Sequence, residues 1–469
     1  MNEKIKKICC IGAGYVGGPT MAIMAEKCKT IQFTVVDIDE LRIKSWNEEN
    51  LDLLPVYEPG LDKIVQRNRG VNLFFSTNVE NSISEADIIF IAVNTPIKTE
   101  GLGAGEASDL TWIEACARDI GKYAKNHTIV VEKSTIPVKT AQIVNQILNI
   151  ESLQKNNETY SNKTFSVLSN PEFLAEGTAI NDLLNPDRVI IGGEDENAIK
   201  TLVEIYKKWV PQNKIITTNI WSSELSKLVA NAFLAQRISS INSISAICEA
   251  TGANVQDVSR AIGSDSRIGN KFLQSGPGFG GSCFKKDILN LIYLSKSYGL
   301  INVAQYWEQV LKINDWQQNR IYELVVKKLF GNLKGKKISF LGFSFKSNTN
   351  DTRESPAINI AKKLIQEGAI LKIHDPKVNE AQIDKALNSF ENNNQPIQKW
   401  QFYKDVNETF KGSSAIIILT EWNEFKDIEW VEIIKKMIQP AWIFDTRSLI
   451  NEKYVTNIGF KYWGVGNDN

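Results

Sequence analysis

The sequence predicts an α/β chain with two doubly wound sheets and a helical middle, on three observations. A strand pattern at residues 7–11 runs into Gly12-Ala13-Gly14-Tyr15-Val16-Gly17 and then into the helical pattern PTMAIMAEKC. Residues 222–251 keep a helical pattern far longer than the three or four turns of an average globular helix. From residue 337, short apolar strands again alternate with helical patterns. These give two Rossmann-like doubly wound domains joined by a long central helix in a helical middle domain. The expected boundaries are 1–215, 216–330 and 331–469.

The opening turn carries the most specific signal. A lone GxGxxG says little. Here it follows a strand and opens a helix, and an acidic residue, Asp37, ends the next strand at residues 32–36. That is the dinucleotide fingerprint. Gly12 allows the turn, Gly14 the approach of a pyrophosphate, and Gly17 the packing of helix on strand. The phosphates would rest on the helix N-terminus. Asp37 would bind the adenosine ribose hydroxyls and repel a 2′-phosphate, which points to NAD.

Later strand patterns end in polar residues. Residues 86–93 lead to Asn94-Thr95-Pro96, 127–132 to Lys133-Ser134-Thr135, and 166–169 to Asn170-Pro171-Glu172. Ligands of doubly wound sheets bind beyond such carboxyl ends. Thr95, Thr135 or Glu172 alone reads equally as a turn or cap; three in succession favour a site. Glu176 follows Glu172 by four residues, so a helix here would put both carboxylates on one face. Residues 151–164 and 389–398 are polar and read as surface loops.

Composition narrows the class. The chain has 469 residues, with 54 Lys plus Arg against 54 Asp plus Glu, so no global basic field points to nucleic acid. No apolar run approaches a membrane span. The N-terminal stretch enters a strand pattern directly, which places the chain in the cytosol. Six cysteines lack any CxxC pair, which argues against a disulfide framework or zinc site, and no metal is expected. With two histidines, acid–base work would fall to Lys, Asp, Glu or water.

The middle holds the reactive candidate. In residues 275–287 (SGPGFGGSCFKKD), four glycines lead into Cys283, and a helical pattern follows. A cysteine at a helix N-terminus, beside Lys285 and Lys286, would favour the thiolate. Read alone, Cys283 is either a nucleophile or a small buried apolar residue before a core helix. On the long helix, Leu225, Leu228, Val229, Ala232 and Phe233 form an apolar stripe, continued by Ile241, Ile244, Ile247 and Cys248. Lys227 and Asn231 are four apart and share a face. Lys227 alone reads as a solvated lysine; Asn231 is a poor helix-interior residue without a polar partner. Together they can aim an ammonium and an amide at one oxyanion. Arg267, Asn270 and Lys271 offer charge or hydrogen bonds to a diphosphate. The last third repeats the strand–helix alternation without GxGxxG, and Gly342, Phe343, Phe345, Lys346 and Arg447 lie at strand ends where a second nucleotide can bind.

The chain resembles the UDP-glucose 6-dehydrogenase family, closest to its animal-type members. IGAGYVGGPT, VYEPGL, VNTP, EKSTIPV, NPEFLAEGTAI, NPDRVIIGG, WSSELSKLVANAFLAQ, DSRIGNKFL, GFGGSCFKKD, GFSFK, NDTRESP, TEWNEF and FDTRS carry the likeness, in order along the chain. The resemblance implies four-electron oxidation of UDP-glucose to UDP-glucuronate with two NAD+. Cys283 would form a thiohemiacetal and then a thioester. Lys227 and Asn231 would hold the oxyanion, Asp287 would help activate water, and Thr135 and Glu172 complete the catalytic set. The implied cofactor positions are Gly12, Gly14, Tyr15, Val16, Gly17, Asp37 and Arg42, with Val93, Asn94, Thr95, Ser134 and Thr135. Glu176, Cys283, Lys286 and Arg353 complete them. The implied sugar-nucleotide positions are Glu172, Phe173, Leu174, Ala175 and Glu176, with Lys227, Asn231, Lys271, Phe272, Phe279, Gly280 and Cys283. Phe345, Lys346 and Arg447 join them, and Arg267 would reach the nucleotide of a neighbouring subunit. Dimers on the long helix, assembling into hexamers, are also implied.

Three departures stand out. Gln274 and Ser347 occupy positions where animal members carry lysine, and the basic tail of those members does not follow FKYWGVGN. The catalytic set also serves siblings acting on GDP-mannose or UDP-N-acetylmannosamine. A silent NAD- and sugar-nucleotide-binding scaffold would be marked by loss of the cysteine, lysine or aspartate, and all three are present.

Overall fold

A computed structural model describes residues 5–153, 163–388 and 399–467. The chain divides into two compact units, residues 1–230 with 289–297, and residues 231–288 with 298–469.

The first unit is built on eight strands: β1 Lys7–Ile11, β2 Gln32–Val36, β3 Leu73–Ser76, β4 Ile88–Ile91, β5 Thr128–Glu132, β6 Phe165–Ser169, β7 Val189–Gly193 and β8 Ile215–Thr218. Their order is β3-β2-β1-β4-β5-β6-β7-β8, parallel except where β6 meets β7. The strands bury both faces, as a parallel sheet must. Ile8, Cys10, Phe33, Ile88 and Phe90 pack on one side, and Cys9, Ile11, Val36, Ile89 and Ile91 on the other.

The second unit carries β9 Lys337–Leu341, β10 Ile370–His374, β11 Trp400–Phe402, β12 Ala415–Ile418, β13 Trp442–Asp445 and β14 Lys461–Gly464, in the parallel order β11-β10-β9-β12-β13-β14. Its first turn copies that of the first unit. Gly12 (φ 109°) and Gly342 (φ 87°) each donate N–H to the end of the neighbouring strand, at Val36 and His374, both at 2.8 Å. Ala13 N–H then meets Asp37 Oδ2 at 2.9 Å, and Phe343 N–H meets Asp375 Oδ2 at 2.7 Å. Asp375 goes further, taking Ser344, Lys377 and Val378 N–H and the Trp422 indole as well. Its carboxylate is spent on the fold.

Five strands escaped the sequence patterns: β3, β7, β8, β11 and β14. Four of them are the sheet edges. An edge strand has one neighbour and needs little apolar alternation, so sequences such as IITT and WQF carry a weak signal. Of the expected polar loop at 151–164, Glu151 belongs to the helix Thr140–Leu153 and pairs with Arg118 at 2.9 Å. Residues 154–162 and the expected loop 389–398 lie outside the described residues.

The long helix is Ile220–Thr251, 32 residues and about 48 Å. Its burial differs from the expected apolar stripe. Leu228, Ala232, Ile241 and Cys248 are buried, but Leu225, Phe233 and Ile247 face out. Buried instead are Ser223, Glu224, Lys227, Asn231, Ser239, Asn242 and Ser245. The core-facing side is partly polar because loops dock on it through hydrogen bonds.

Gly17 tests the turn. A Cβ there would lie 2.0 Å from Gly12 O, a contact with backbone that cannot swing away. Gly17→Ala is expected to destabilise the chain by on the order of 3 kcal/mol and to weaken NAD+ binding, read by thermal melting with and without NAD+. An unchanged melting temperature would show that helix and strand are not in close contact here.

Candidate active site

In the first unit the strand ends are laced together. Ser134 Oγ donates to Val93 O at 2.7 Å, and Thr95 Oγ1 to Thr135 O at 2.8 Å. Ser134 and Thr95 therefore shape the loops, while Thr135 stays half-exposed and Asn94 exposed. The helix Gly17–Lys27 starts with no side-chain cap and no acid in its first turn. A Cβ at Gly14 would meet nothing within 4 Å. Asp37 takes Ala13 N–H and Arg42 Nη1 on Oδ2 and Asp39 N–H on Oδ1, which leaves acceptor capacity on its carboxylate. Open space over Gly14, an uncapped helix start and an acid at the end of β2 fit a dinucleotide pyrophosphate and ribose.

Residues 172–176 are not helical, so Glu172 and Glu176 share no helix face. Glu172 Oε1 instead folds back on Phe173 N–H (2.8 Å) and Leu174 N–H (3.2 Å), and Gly177 takes φ 83°. Glu58, from the VYEPGL motif, receives Gly177 and Ala179 N–H and so starts the helix Ala179–Leu184. The Phe173 ring has the Arg188 guanidinium at 3.9 Å and Lys227 Nζ at 5.3 Å. Ala175 N–H goes to Asp182, and the Leu174 side chain packs against the core of the first unit.

In the second unit Cys283 is exposed and immediately precedes the helix Phe284–Ser297. Its carbonyl accepts Asp287 N–H at 2.9 Å, so it occupies the N-cap position. Ser282 Oγ lies 3.6 Å from Sγ. Lys285, expected to favour the thiolate, is paired with Glu354 at 2.9 Å; Lys286 Nζ lies 3.9 Å from Asp287 Oδ1. Asp287 is fully buried and takes Asn231 Nδ2 at 2.6 Å. The amide that the sequence aimed at an oxyanion is thus oriented by the carboxylate assigned to water.

The glycine loop before Cys283 is clamped by amides. Asn242 Oδ1 takes Gly276 N–H at 2.8 Å, Gln317 Nε2 donates to Gly276 O at 2.8 Å, and Asn314 holds both backbone groups of Phe279. Gly278 (φ 119°) faces Asn314, and a Cβ at Gly280 would fall 2.4 Å from Glu354 O. Gly281 lies against the Phe345 ring and bonds Arg353 O, while the Arg353 side chain pairs with Asp351. Arg447 sits beside Gly276, donates to Leu419 O and Phe345 O, and pairs with Glu421 at 3.2 Å. Burial works to raise the Glu421 carboxyl, but Arg447 and nearby N–H groups hold it below the usual range. Lys346 Nζ lies 5.5 Å over the Phe345 ring. Ser347 Oγ reaches Glu421 Oε1 at 3.4 Å.

Phe279 is buried with its ring edge-on to Phe284, and Phe272 (φ 61°) meets the same ring while 40% exposed. Lys271 is exposed, and its carbonyl holds Arg237. Arg267 is 87% exposed and chelates Asp265. Among the described residues no cluster could hold a metal ion, and no helix is long and apolar enough to cross a membrane.

These features meet three family profiles. The NAD binding domain of the UDP-glucose/GDP-mannose dehydrogenase family matches residues 6–210, its central domain 221–316 and its UDP binding domain 339–452. The chain belongs to the UDP-glucose/GDP-mannose dehydrogenase family. It is 53% identical to UDP-glucose 6-dehydrogenase 1 of Glycine max, over 98% of this chain and 97% of that protein. It is 52% identical to UDP-glucose 6-dehydrogenase of Gallus gallus, over 99% and 93%. Among solved structures, a UDP-glucose dehydrogenase from Pyrobaculum islandicum superposes with a TM-score of 0.83 at 28% identity, over 99% of this chain and 98% of that one. A UDP-D-ManNAc dehydrogenase from Pyrococcus horikoshii gives 0.81 at 25%, over 98% and 99%. Residues 6–210 are thus the NAD binding domain of a family member.

Sequence reasoning missed several supports. Asn242, Asn314 and Gln317 are buried amides inside helices, the same signal that drew attention to Asn231. Glu58 and Lys133 lay inside motifs but were given no role. Nothing local pointed to Tyr206. Glu132, ending β5, is buried, and neither carboxyl oxygen has a hydrogen-bond partner among the described residues. Burial pushes its carboxyl well above the usual range, and Glu224 nearby adds to this. Burial also raises Glu224 to about 7, against the pull of Ala141 and Lys139 N–H.

Burial thus favours the neutral acid form of Glu132 in the fold. The unfolded carboxyl ionises near pH 4.3, so wild-type stability falls as pH rises above that value toward the raised folded one. Glu132→Gln removes this loss. It is expected to stabilise the chain, with a gain growing by about 1.4 kcal/mol per pH unit, measured by denaturant unfolding at pH 5 and 7. An equal effect at both values would mean that Glu132 is ionised in the fold.

Proposed function

We propose that the chain oxidises UDP-glucose to UDP-glucuronate, with two NAD+ reduced and one water consumed per sugar. The observation that carries this is an exposed cysteine at a helix N-terminus on an amide-clamped glycine loop, in a chain more than half identical over nearly its whole length to UDP-glucose 6-dehydrogenases.

NAD+ supplies the hydride acceptor for both oxidations. The first oxidation takes the C6 alcohol to the aldehyde. Cys283 Sγ then adds to C6, and the carbonyl becomes the oxyanion of a thiohemiacetal. Lys227 and Asn231 stabilise that oxyanion, with Asn231 oriented by Asp287. Loss of hydride from C6 leaves a thioester on Cys283. Asp287 assists water in attacking the thioester, which frees the thiol and the carboxylate; Thr135 and Glu172 complete the catalytic set. For the cofactor we assign Gly12, Gly14, Tyr15, Val16, Gly17, Asp37 and Arg42, with Val93, Asn94, Thr95 and Ser134. Glu176 serves its nicotinamide, and Lys286 and Arg353 complete the cofactor set. The sugar nucleotide is assigned to the turn 172–176, the segment Lys271–Phe272, the loop at Phe279 and Gly280, and Phe345, Lys346 and Arg447.

We assign the chain three working segments, 1–215, 216–330 and 331–469, and a cytosolic setting in which its six free cysteines stay reduced. We further propose dimers on the Ile220–Thr251 helix, assembling into hexamers. Trp221, Leu225, Phe233 and Ile247 are exposed along that helix, and the exposed Arg267 would reach a neighbour's nucleotide.

The decisive experiment counts NADH per sugar. Two per UDP-glucose is expected, with GDP-mannose and UDP-N-acetylmannosamine inert. One would mean an alcohol dehydrogenase stopping at the aldehyde, and preference for another sugar would mean a sibling specificity. Cys283→Ser is expected to cut turnover by about 10³-fold or more while NAD+ affinity is kept; normal turnover would sink the thioester route. Sedimentation at working concentration should show dimers or larger species, and a monomer would contradict the role of Arg267.

A further inference from the structure

Lys133 follows β5 directly and is 4% exposed. A buried ammonium needs partners for all three donors, and here it has three. Nζ lies 2.9 Å from Glu172 Oε2, 3.1 Å from Asn170 Oδ1 and 3.3 Å from the Tyr206 hydroxyl. The framework behind it is rigid. Tyr206 donates to Asn170 Oδ1 at 2.6 Å, and Asn170 Nδ2 donates to Ile190 O at 2.7 Å.

The far side of the ion pair is the turn after β6. Glu172 gives one oxygen to Lys133 and the other to the N–H groups of Phe173 and Leu174. The turn is irregular, so these bonds stand where helix or sheet bonds would otherwise set its shape. Burial alone would discharge both partners, yet each holds the other charged: Glu172 lies below the usual carboxyl range and Lys133 above the usual amine value. Tyr206, Lys227 and Cys10 are titratable groups that also bear on the pair.

We propose that Lys133 is a positioning residue for the sugar-nucleotide turn, clamping the Glu172 carboxylate so that residues 172–176 hold the shape that receives the substrate. The inference rests on the assignment of this turn to UDP-glucose. It makes Glu172 a structural hinge pin as well as a member of the catalytic set.

The test uses the full chain as Lys133→Gln, Lys133→Arg, Glu172→Gln and the double variant Lys133→Gln/Glu172→Gln. Affinities for UDP-glucose and NAD+ are read by calorimetry. Lys133→Gln is expected to weaken UDP-glucose about ten-fold or more, as loss of one charge-assisted contact would, with NAD+ affinity within about two-fold of wild type. Lys133→Arg should recover much of the loss, which a mere packing role would not predict. Because Lys133 acts through Glu172, the double variant should bind UDP-glucose no more weakly than Glu172→Gln. The inference is overturned by wild-type UDP-glucose affinity in Lys133→Gln or Glu172→Gln, by an equal loss of NAD+ affinity, or by a further loss in the double variant. Should Lys133→Gln fail to fold because it strands a buried carboxylate, the double variant, which strands no charge, carries the comparison against Glu172→Gln. A wild-type chain that binds NAD+ but no UDP-glucose would sink the functional reading itself, whereas an inert Lys133→Gln in a UDP-glucose-binding chain sinks only the role of Lys133.

Discussion

The interaction on which most else depends is the buried polar stripe of the Ile220–Thr251 helix. In the first unit, Ser223 bonds Ser169 at the end of β6, and Glu224 caps the helix Thr140–Leu153 through Lys139 and Ala141 N–H. In the second, Asn231 bonds Asp287, Ser239 bonds Val310 O, and Asn242 holds Gly276. Each buried polar group has to find a partner or cost stability. The partners are loops that sequence pattern alone cannot order. The helix therefore serves as a rack of donors and acceptors, while Trp221, Leu225, Phe233 and Ile247 turn outward.

The second unit uses the same logic around Cys283. Glycines at 278, 280 and 281 give a backbone that side chains would obstruct, and such a loop has little packing of its own. Asn242, Asn314 and Gln317 supply the missing order. Placement and rigidity thus come from different places: the helix N-terminus from the local sequence, the fixed position from amides far along the chain.

The two sheets show one turn put to two uses. Both first turns place an aspartate from the second strand against the N–H that follows the first glycine. In the first unit Asp37 keeps acceptor capacity, the helix start is uncapped, and Gly14 opens on space. In the second, Asp375 is consumed by five backbone and side-chain groups besides Phe343 N–H. The loss of GxGxxG from the second unit is thus matched by an aspartate that no longer has a bond to offer a ribose.

By itself, the sequence determined the α/β class, the dinucleotide turn, the long helix and the cysteine at a helix start. All of these are local: a period, a glycine with positive φ, a residue next to a cap. The family likeness then named roles for residues that stand in contiguous motifs. Tertiary structure alone decided the edge strands, whose signal is weak because one neighbour holds them. It decided that residues 172–176 form a turn, since Glu172 bonds its own backbone where a helix was the alternative. It also decided which face of the long helix is buried, and that Lys133, Glu172, Asn170 and Tyr206 form one network. Those groups come from three places in the chain, and a buried charge reveals its partner only when the fold has brought the two together.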